Sequence, residues 1–378
     1  MLREILIEKI KKDGPIKFRD FMDMALYYPQ EGYYTSPNIE IGKRGDFVTG
    51  SHYHPVFGAL IGQQIEQMWK ILDMPKEFHL IEYGGGMGYL ALDILNYLKK
   101  TKFIDSLTYV IIERNPNLQE KQEKLLANFK DKLIWHSTIE EMSPVIGCVF
   151  SNELIDAFPV HLIELEQNAL KEVYVYFSDN KFHEVLYNPT AGLEDYVREY
   201  IYEIYNGYRT EINLEAKKWL KEVSDILKWG FIFIIDYGYP AWEYYSPERS
   251  KGTLMAYYKH KVSENPYINI GRQDLTSHVN FTALKRWGQA YGFETLGYCT
   301  QGAFLVSMGI DEMLNKMVDK EDYPYMAASI KMLIYPHGLG ESHRVMVLYR
   351  GKKKPLLKGF TLKNKVEKLE LKNLYGPL

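Results

Sequence analysis

The run Leu80-Ile81-Glu82-Tyr83-Gly84-Gly85-Gly86-Met87-Gly88-Tyr89 restricts the fold more than any other stretch of the chain. An apolar strand ends at an acidic residue, glycines follow at alternate positions, and a helical pattern begins at Tyr89. Glycine lets a backbone turn tightly and approach a ligand closely. The first turn of the helix supplies amide donors with no partner inside the helix. Strand, glycine turn and helix in this order open a nucleotide-binding βαβ unit.

The residues that follow keep the same rhythm. Short apolar runs at 79–83, 108–113, 132–136 and 148–152 read as strands, and helical patterns at 89–98 and 116–128 lie between them. This spacing predicts a parallel sheet with right-handed crossovers and helices on both faces. The apolar run 230–236 predicts a further core strand. A helix is expected at 281–291, and strands at 294–300 and 344–349 are expected as an antiparallel edge. Two regions break the rhythm. Residues 1–75 read as a helical extension with a glycine-rich loop through Gly42 and Gly45-Asp46-Phe47. Residues 159–229 read as an insertion, with antiparallel strands at 161–166, 172–177 and 183–186 and one long helical stretch from Leu193 into Trp229.

The expected architecture is therefore a Rossmann-like α/β fold: a mostly parallel sheet with an antiparallel edge strand, an N-terminal helical extension and an inserted α+β subdomain. Its expected divisions are an extension (1–75), a cofactor-binding half (76–158), an inserted substrate or partner subdomain (159–229), a second core half (230–350) and a basic C-terminal tail (351–378). The lysines from Lys352 onward read as a solvated surface.

Two cofactor classes use a glycine turn of this kind. Dinucleotide enzymes want G-x-G-x-x-G, and counting from Gly84 and Gly86 the third glycine falls on Tyr89. The observed spacing is instead Glu-x-Gly-x-Gly-x-Gly, the pattern of class I methyltransferases. An acid at Glu82 would repel a pyrophosphate, but it suits the ammonium and sulfonium of S-adenosylmethionine. Glu113, at the end of the neighbouring strand, can take ribose hydroxyls in either class. The expected cofactor set is Glu82, Gly84, Gly86, Gly88, Glu113, Asn152 and Asp46, with an adenine pocket near His136-Ser137-Thr138-Ile139.

Bulk properties exclude other classes. The net charge of −3 gives no support for a nucleic-acid binder. The two cysteines, Cys148 and Cys299, have no metal spacing; Cys148, in the apolar run 145–150, reads as a core thiol, and this usage fits a reducing compartment. His52 and His54 have no third ligand spaced with them, so no metal is expected. The N-terminal helix carries Glu4 and Glu8 and lacks a long apolar run, which argues against a targeting segment, and no stretch is apolar enough to span a membrane. A cytoplasmic protein is the expectation.

A wider set of segments carries a resemblance: Gly14-Pro15-Ile16-Lys17-Phe18, Ala25-Leu26-Tyr27-Tyr28-Pro29, Gly45-Asp46-Phe47-Val48-Thr49, Pro55-Val56-Phe57-Gly58, Ser151-Asn152-Glu153-Leu154-Ile155-Asp156-Ala157-Phe158-Pro159, Ile235-Asp236-Tyr237-Gly238 and Gln273-Asp274-Leu275-Thr276-Ser277-His278. Together, from about residue 13 to 350, they resemble the MidA-like methyltransferases. These are bacterial and mitochondrial proteins that include an arginine methyltransferase assisting respiratory complex I assembly. The chain departs from the family at Gly85, where Pro is common, at Met87, and in Leu339-Gly340-Glu341-Ser342-His343-Arg344-Val345, where the family often has Met-Gly-x-x-Phe-Lys-Val. The resemblance implies transfer to a protein arginine, a mitochondrial matrix setting for eukaryotic members, and room for a homodimer.

Methyl transfer from a sulfonium needs mainly positioning and electrostatics. A guanidinium acceptor calls for carboxylates, which localise its charge and recognise it bidentately. Glu153 and Asp156 follow the fourth strand, where open α/β sheets bind ligands, and are the leading candidates. His278 is the candidate general base, with Tyr237 and Asp274 beside it in the second rank. The competing readings are a noncatalytic or partner-dependent assembly factor that retains the fold, a nicotinamide oxidoreductase, and a methyltransferase for small molecules or nucleic acid.

Overall fold

The computed structural model describes residues 1–37, 39, 54–315 and 323–371. Its centre is a sheet in the order β15-β16-β10-β5-β2-β3-β4. These strands are Phe78–Tyr83 (β2), Leu107–Ile112 (β3), Leu133–His136 (β4), Val145–Asn152 (β5), Leu227–Tyr239 (β10), Glu294–Thr300 (β15) and His343–Arg350 (β16). The pairs β2·β3, β2·β5, β3·β4 and β5·β10 are parallel, whereas β16 is antiparallel to both β10 and β15. One reversed strand near the edge of a parallel sheet is the expected architecture. It brings the C-terminal ends of β2, β3, β4, β5 and β10 to the same side.

Alternation along the strands divides the core between the two faces. Leu80, Tyr109, Cys148, Phe150, Phe231 and Phe233 pack beneath the helices Val56–Ile71 and Tyr89–Leu98. Ile81, Val110, Val149, Ile232 and Ile234 face the helices Glu215–Ile226 and Phe281–Ala290. Strands buried on both faces explain why these segments read as continuous apolar runs.

The insertion forms a second sheet from His161–Glu166 (β6), Ala169–Ser178 (β7), Lys181–Tyr187 (β8) and Arg209–Ile212 (β9), all paired antiparallel. The N-terminal segment is not wholly helical. Ile16–Lys17 (β1) pairs with β7 through Ile16 and Val175, and Leu6, Phe18 and Phe21 share one cluster with Val160, Leu162 and Val173. The long helix expected over 193–229 is broken into Leu193–Tyr200, strand β9 and Glu215–Ile226. Gly207 turns in the left-handed region at φ 83°, and Asn213 accepts the Ala216 N–H at 2.9 Å to start a new helix. The turn and the β6 pairing override the helical pattern between them.

A third small sheet joins Met255–Tyr258 (β11), Lys261–Ser263 (β12) and Asp274–Thr276 (β13), and Val279–Asn280 (β14) extends the end of β10. The lysine-rich end packs on the core up to residue 371. Leu357, Phe360 and Leu369 are buried, and the Gly359 N–H donates to Gln64 Oε1 at 2.9 Å. Asp46, His52 and Gly42 lie outside the described residues, as does the end of the chain beyond 371. No helix among the described residues is long and apolar enough to cross a membrane.

Candidate active site

A cavity of about 280 Å³ opens at the C-terminal ends of β2, β3, β4 and β5. Its floor is the glycine turn. Gly84 and Gly86 line it at φ 67° and 53°, a region that favours glycine. Gly88, at φ 84°, does not line the cavity. It starts the helix Tyr89–Leu98 and sits against Gln122 and Leu125.

Two carboxylates flank the turn, Glu82 buried and Glu113 half-buried. Glu82 accepts the Tyr109 hydroxyl at 2.8 Å, and burial pushes its pKa up to about 7 against that hydrogen bond. Glu113 accepts the Asn115 N–H at 2.9 Å, and burial raises its pKa as well. Gln122, fully buried, ties the parts together. Its Nε2 donates to Gly86 O at 2.8 Å and Glu113 Oε2 at 3.1 Å, while its Oε1 accepts Trp135 Nε1 at 2.9 Å. Nothing in the sequence pattern marked Gln122, because its three partners come from three separate segments.

Thr138 and Ile139, expected beside the adenine, also line the cavity, as do Asn152 and Glu153. Asn152 Oδ1 is buried and has no partner among the described residues. A glycine cradle, two carboxylates for an ammonium and a ribose, and an unpaired acceptor fit S-adenosylmethionine. Glu82, Glu113, Asn152 and the glycine turn are the residues that would hold it.

A second cavity of about 60 Å³ adjoins the first, and Tyr34 and Glu153 line both. Asp156, Asp274, Tyr237, Tyr257 and His278 also line it. The turn carrying Glu153 and Asp156 is tied to β10, because the buried Asp236 accepts the N–H groups of Leu154, Ile155 and Tyr237. Glu153 itself sits at φ 53°, an unfavourable conformation for a side chain of its size. Asp156 Oδ1 has no partner among the described residues, and burial together with Asp236, Glu153 and Asp274 holds its carboxyl far above the usual range. His278 is pushed down to about 4 by burial and by Arg249 and Arg344.

Of the candidates from sequence, the structure gathers Glu82, Gly84, Gly86, Glu113, Asn152 and Glu153 around the larger cavity, and Glu153, Asp156 and His278 around the smaller. Tyr34 was not foreseen as a site residue. Its hydroxyl donates to Asp274 at 2.8 Å, and the Asn115 side chain, two residues beyond Glu113, donates to its carbonyl at 2.9 Å. The N-terminal segment thereby closes over the junction of the two cavities. Among the described residues no group of three His, Cys, Asp or Glu is arranged to hold a metal ion.

The family model described as S-adenosyl-L-methionine-dependent methyltransferase matches residues 60–299. The chain belongs to this methyltransferase family. It is 25% identical to the mitochondrial protein arginine methyltransferase NDUFAF7 homolog of Drosophila melanogaster, over 93% of this chain and 85% of that one. It is 26% identical to the mouse protein arginine methyltransferase NDUFAF7, also mitochondrial, over 92% and 84%. A crystal structure of a Burkholderia thailandensis protein bound to S-adenosyl-homocysteine superposes with a TM-score of 0.89 at 28% identity, covering 96% of this chain and 95% of that one. The chain is an S-adenosylmethionine-dependent methyltransferase with the expected Rossmann-like fold. The nicotinamide and noncatalytic readings are not favoured.

Proposed function

We propose that this enzyme methylates an arginine side chain presented by a protein. The observation that carries the reading is the smaller cavity. Three carboxylates, Glu153, Asp156 and Asp274, line it beside Tyr34, Tyr237 and Tyr257, and none of its described lining residues is Lys or Arg. A pocket of carboxylates between aromatic walls suits a planar, delocalised cation. The names of the relatives support the same acceptor.

S-adenosylmethionine supplies an activated methyl group in the larger cavity. Glu153, which lines both cavities, would localise the guanidinium charge on one side and leave the opposite nitrogen nucleophilic. Asp156 would ionise when the guanidinium enters. Its Oδ1, which has no partner among the described residues, would then be free to accept the proton that the nitrogen loses on methylation. His278 was the sequence candidate for that task, but a ring held near 4 is a weak base at neutral pH. It would instead be a neutral wall of the pocket. Asp46 stays a candidate cofactor residue outside the described residues.

A protein acceptor, a cytoplasmic setting and a homodimer belong to this reading, with the mitochondrial matrix as the counterpart for eukaryotic relatives. The test of the acceptor uses purified protein, S-adenosylmethionine labelled in its methyl group, and a library of arginine-containing peptides. Methylarginine in the hydrolysed peptides is the expected result. Label incorporated only into lysine, or only into small molecules, would overturn the arginine assignment and leave the methyltransferase intact. Sedimentation of the purified chain reads the oligomeric state.

A further inference from the structure

We infer that His343 is a positioning residue that fixes which oxygen of Glu153 faces the acceptor. This rests on the reading of Glu153 as an acceptor ligand.

His343 begins β16 and pairs in register with Tyr237 of β10. Two residues back along β10, Ile235 pairs with Asn152 of β5 on the other side, so Glu153 and His343 approach each other across β10 near Tyr237. The His343 ring is fully buried and packs on Tyr237 at 3.9 Å between ring centroids. Its Nε2 stands 3.4 Å from Glu153 Oε1, within ion-pair reach, and forms no aligned hydrogen bond with any described residue. Its Nδ1 lies 3.0 Å from the Ser342 hydroxyl. The same hydroxyl lies 3.5 Å from the Gly338 carbonyl; when it donates to the nearer Nδ1 instead, the ring proton sits on Nε2, on the side of Glu153 Oε1.

The Asn152 amide also donates to Glu153 Oε1, at 3.2 Å. Two neighbours therefore converge on one oxygen of this carboxylate. Oε2 has no hydrogen-bond partner among the described residues, although Glu153 lines both cavities. A backbone in the left-handed region at φ 53° holds the side chain at that junction, and the polar ties on Oε1 set its rotation. The arrangement gives Oε1 to the protein and leaves Oε2 for a cation. Glu153 would touch the acceptor, and His343 would act only through it.

Two measurements test this assignment. In the first, His343→Phe removes the polar tie and keeps a ring against Tyr237, whereas His343→Gln keeps a donor. With labelled S-adenosylmethionine and an arginine peptide that the wild type methylates, His343→Phe should lower kcat/KM about tenfold or more, a penalty of the size misplaced groups impose. Cofactor Kd should be unchanged, and His343→Gln should recover most of the loss. Equal activity of all three proteins, or equal loss in both variants, overturns the assignment. The second measurement needs no acceptor: histidine 15N chemical shifts should show the Nε2-protonated tautomer at His343, altered by Glu153→Gln. A tautomer indifferent to Glu153 also overturns it. A wild type inactive on every arginine peptide overturns the arginine reading alone, and the tautomer measurement then decides the role of His343.

Discussion

The carboxylate of Asp236 accepts the backbone N–H of Ile155 at 2.8 Å, so the end of β10 holds the turn that carries Glu153 and Asp156. The same carboxylate takes the N–H groups of Leu154 and Tyr237. Asp236→Ala leaves three buried or half-buried donors without partners and should cost about 3 kcal/mol or more. Denaturant unfolding measures that loss. Asp236→Asn, which keeps one acceptor oxygen, should lose less, and equal loss in both would argue against the carboxylate's bonding as the cause.

Gln122 joins the glycine turn, Glu113 and Trp135 in one network. Replacing it with Leu strips a donor from Gly86 O and from Glu113 and strands the Trp135 N–H. Each unsatisfied group is worth about 1–3 kcal/mol. S-adenosylmethionine affinity should fall at least about tenfold by calorimetry. Unchanged affinity would mean that the turn holds its shape without the network.

Glu82 carries a sharp pH signature. Burial raises its pKa from 4.5 to about 7, so the folded state binds a proton more tightly than the unfolded chain. Its contribution to stability is complete below about pH 4.5 and is lost as pH rises through about 7. The change is about 3 kcal/mol by linkage. Glu82→Gln should therefore be more stable than wild type at pH 8 without cofactor, with the gap closing toward pH 5. A cationic ligand reverses the preference, so wild-type affinity for S-adenosylmethionine should strengthen between about pH 6 and pH 8, while Glu82→Gln stays flat. Parallel pH profiles for the two proteins would contradict the assignment.

Asp156 should behave differently from Glu82 because it lines the smaller cavity, where the acceptor is proposed to bind. Burial and the neighbouring carboxylates hold its carboxyl well above the usual range, and a cation in the cavity would oppose that shift. Asp156→Asn should lower kcat/KM for an arginine peptide by about a hundredfold, the scale of a lost general base. Cofactor Kd should stay within error of wild type. A variant that loses both equally would point to a collapsed turn, which thermal unfolding would reveal.

The central sheet and the larger cavity at its C-terminal end were legible because they depend on local order. Strand, acid, glycines and helix lie within one short run around Glu82, and β3 ends at Ile112, beside Glu113, as the alternation requires. The smaller cavity was legible only in part. Glu153 and Asp156 follow a strand, but Tyr34 meets Asp274 from 240 residues away in sequence, and His343 reaches Glu153 from the penultimate position of the sheet order. Such partners are set by topology and leave no periodicity to read. The same holds for β9, whose four residues gain strand structure from β6 and whose ends are fixed by Gly207 and Asn213.

The pairing of Ile16 with Val175 has a consequence for biosynthesis. A ribosome adding roughly 5–20 residues per second exposes the first helix for about ten seconds or longer before Val175 emerges. Throughout that interval Leu2, Leu6, Ile10, Phe18 and Phe21, all buried in the finished protein, have no sheet to cover them. The nascent chain must be shielded at its front while its nucleotide-binding core is already being made. Expression yield should thus depend on holdase chaperones far more than the stability of the finished enzyme would suggest.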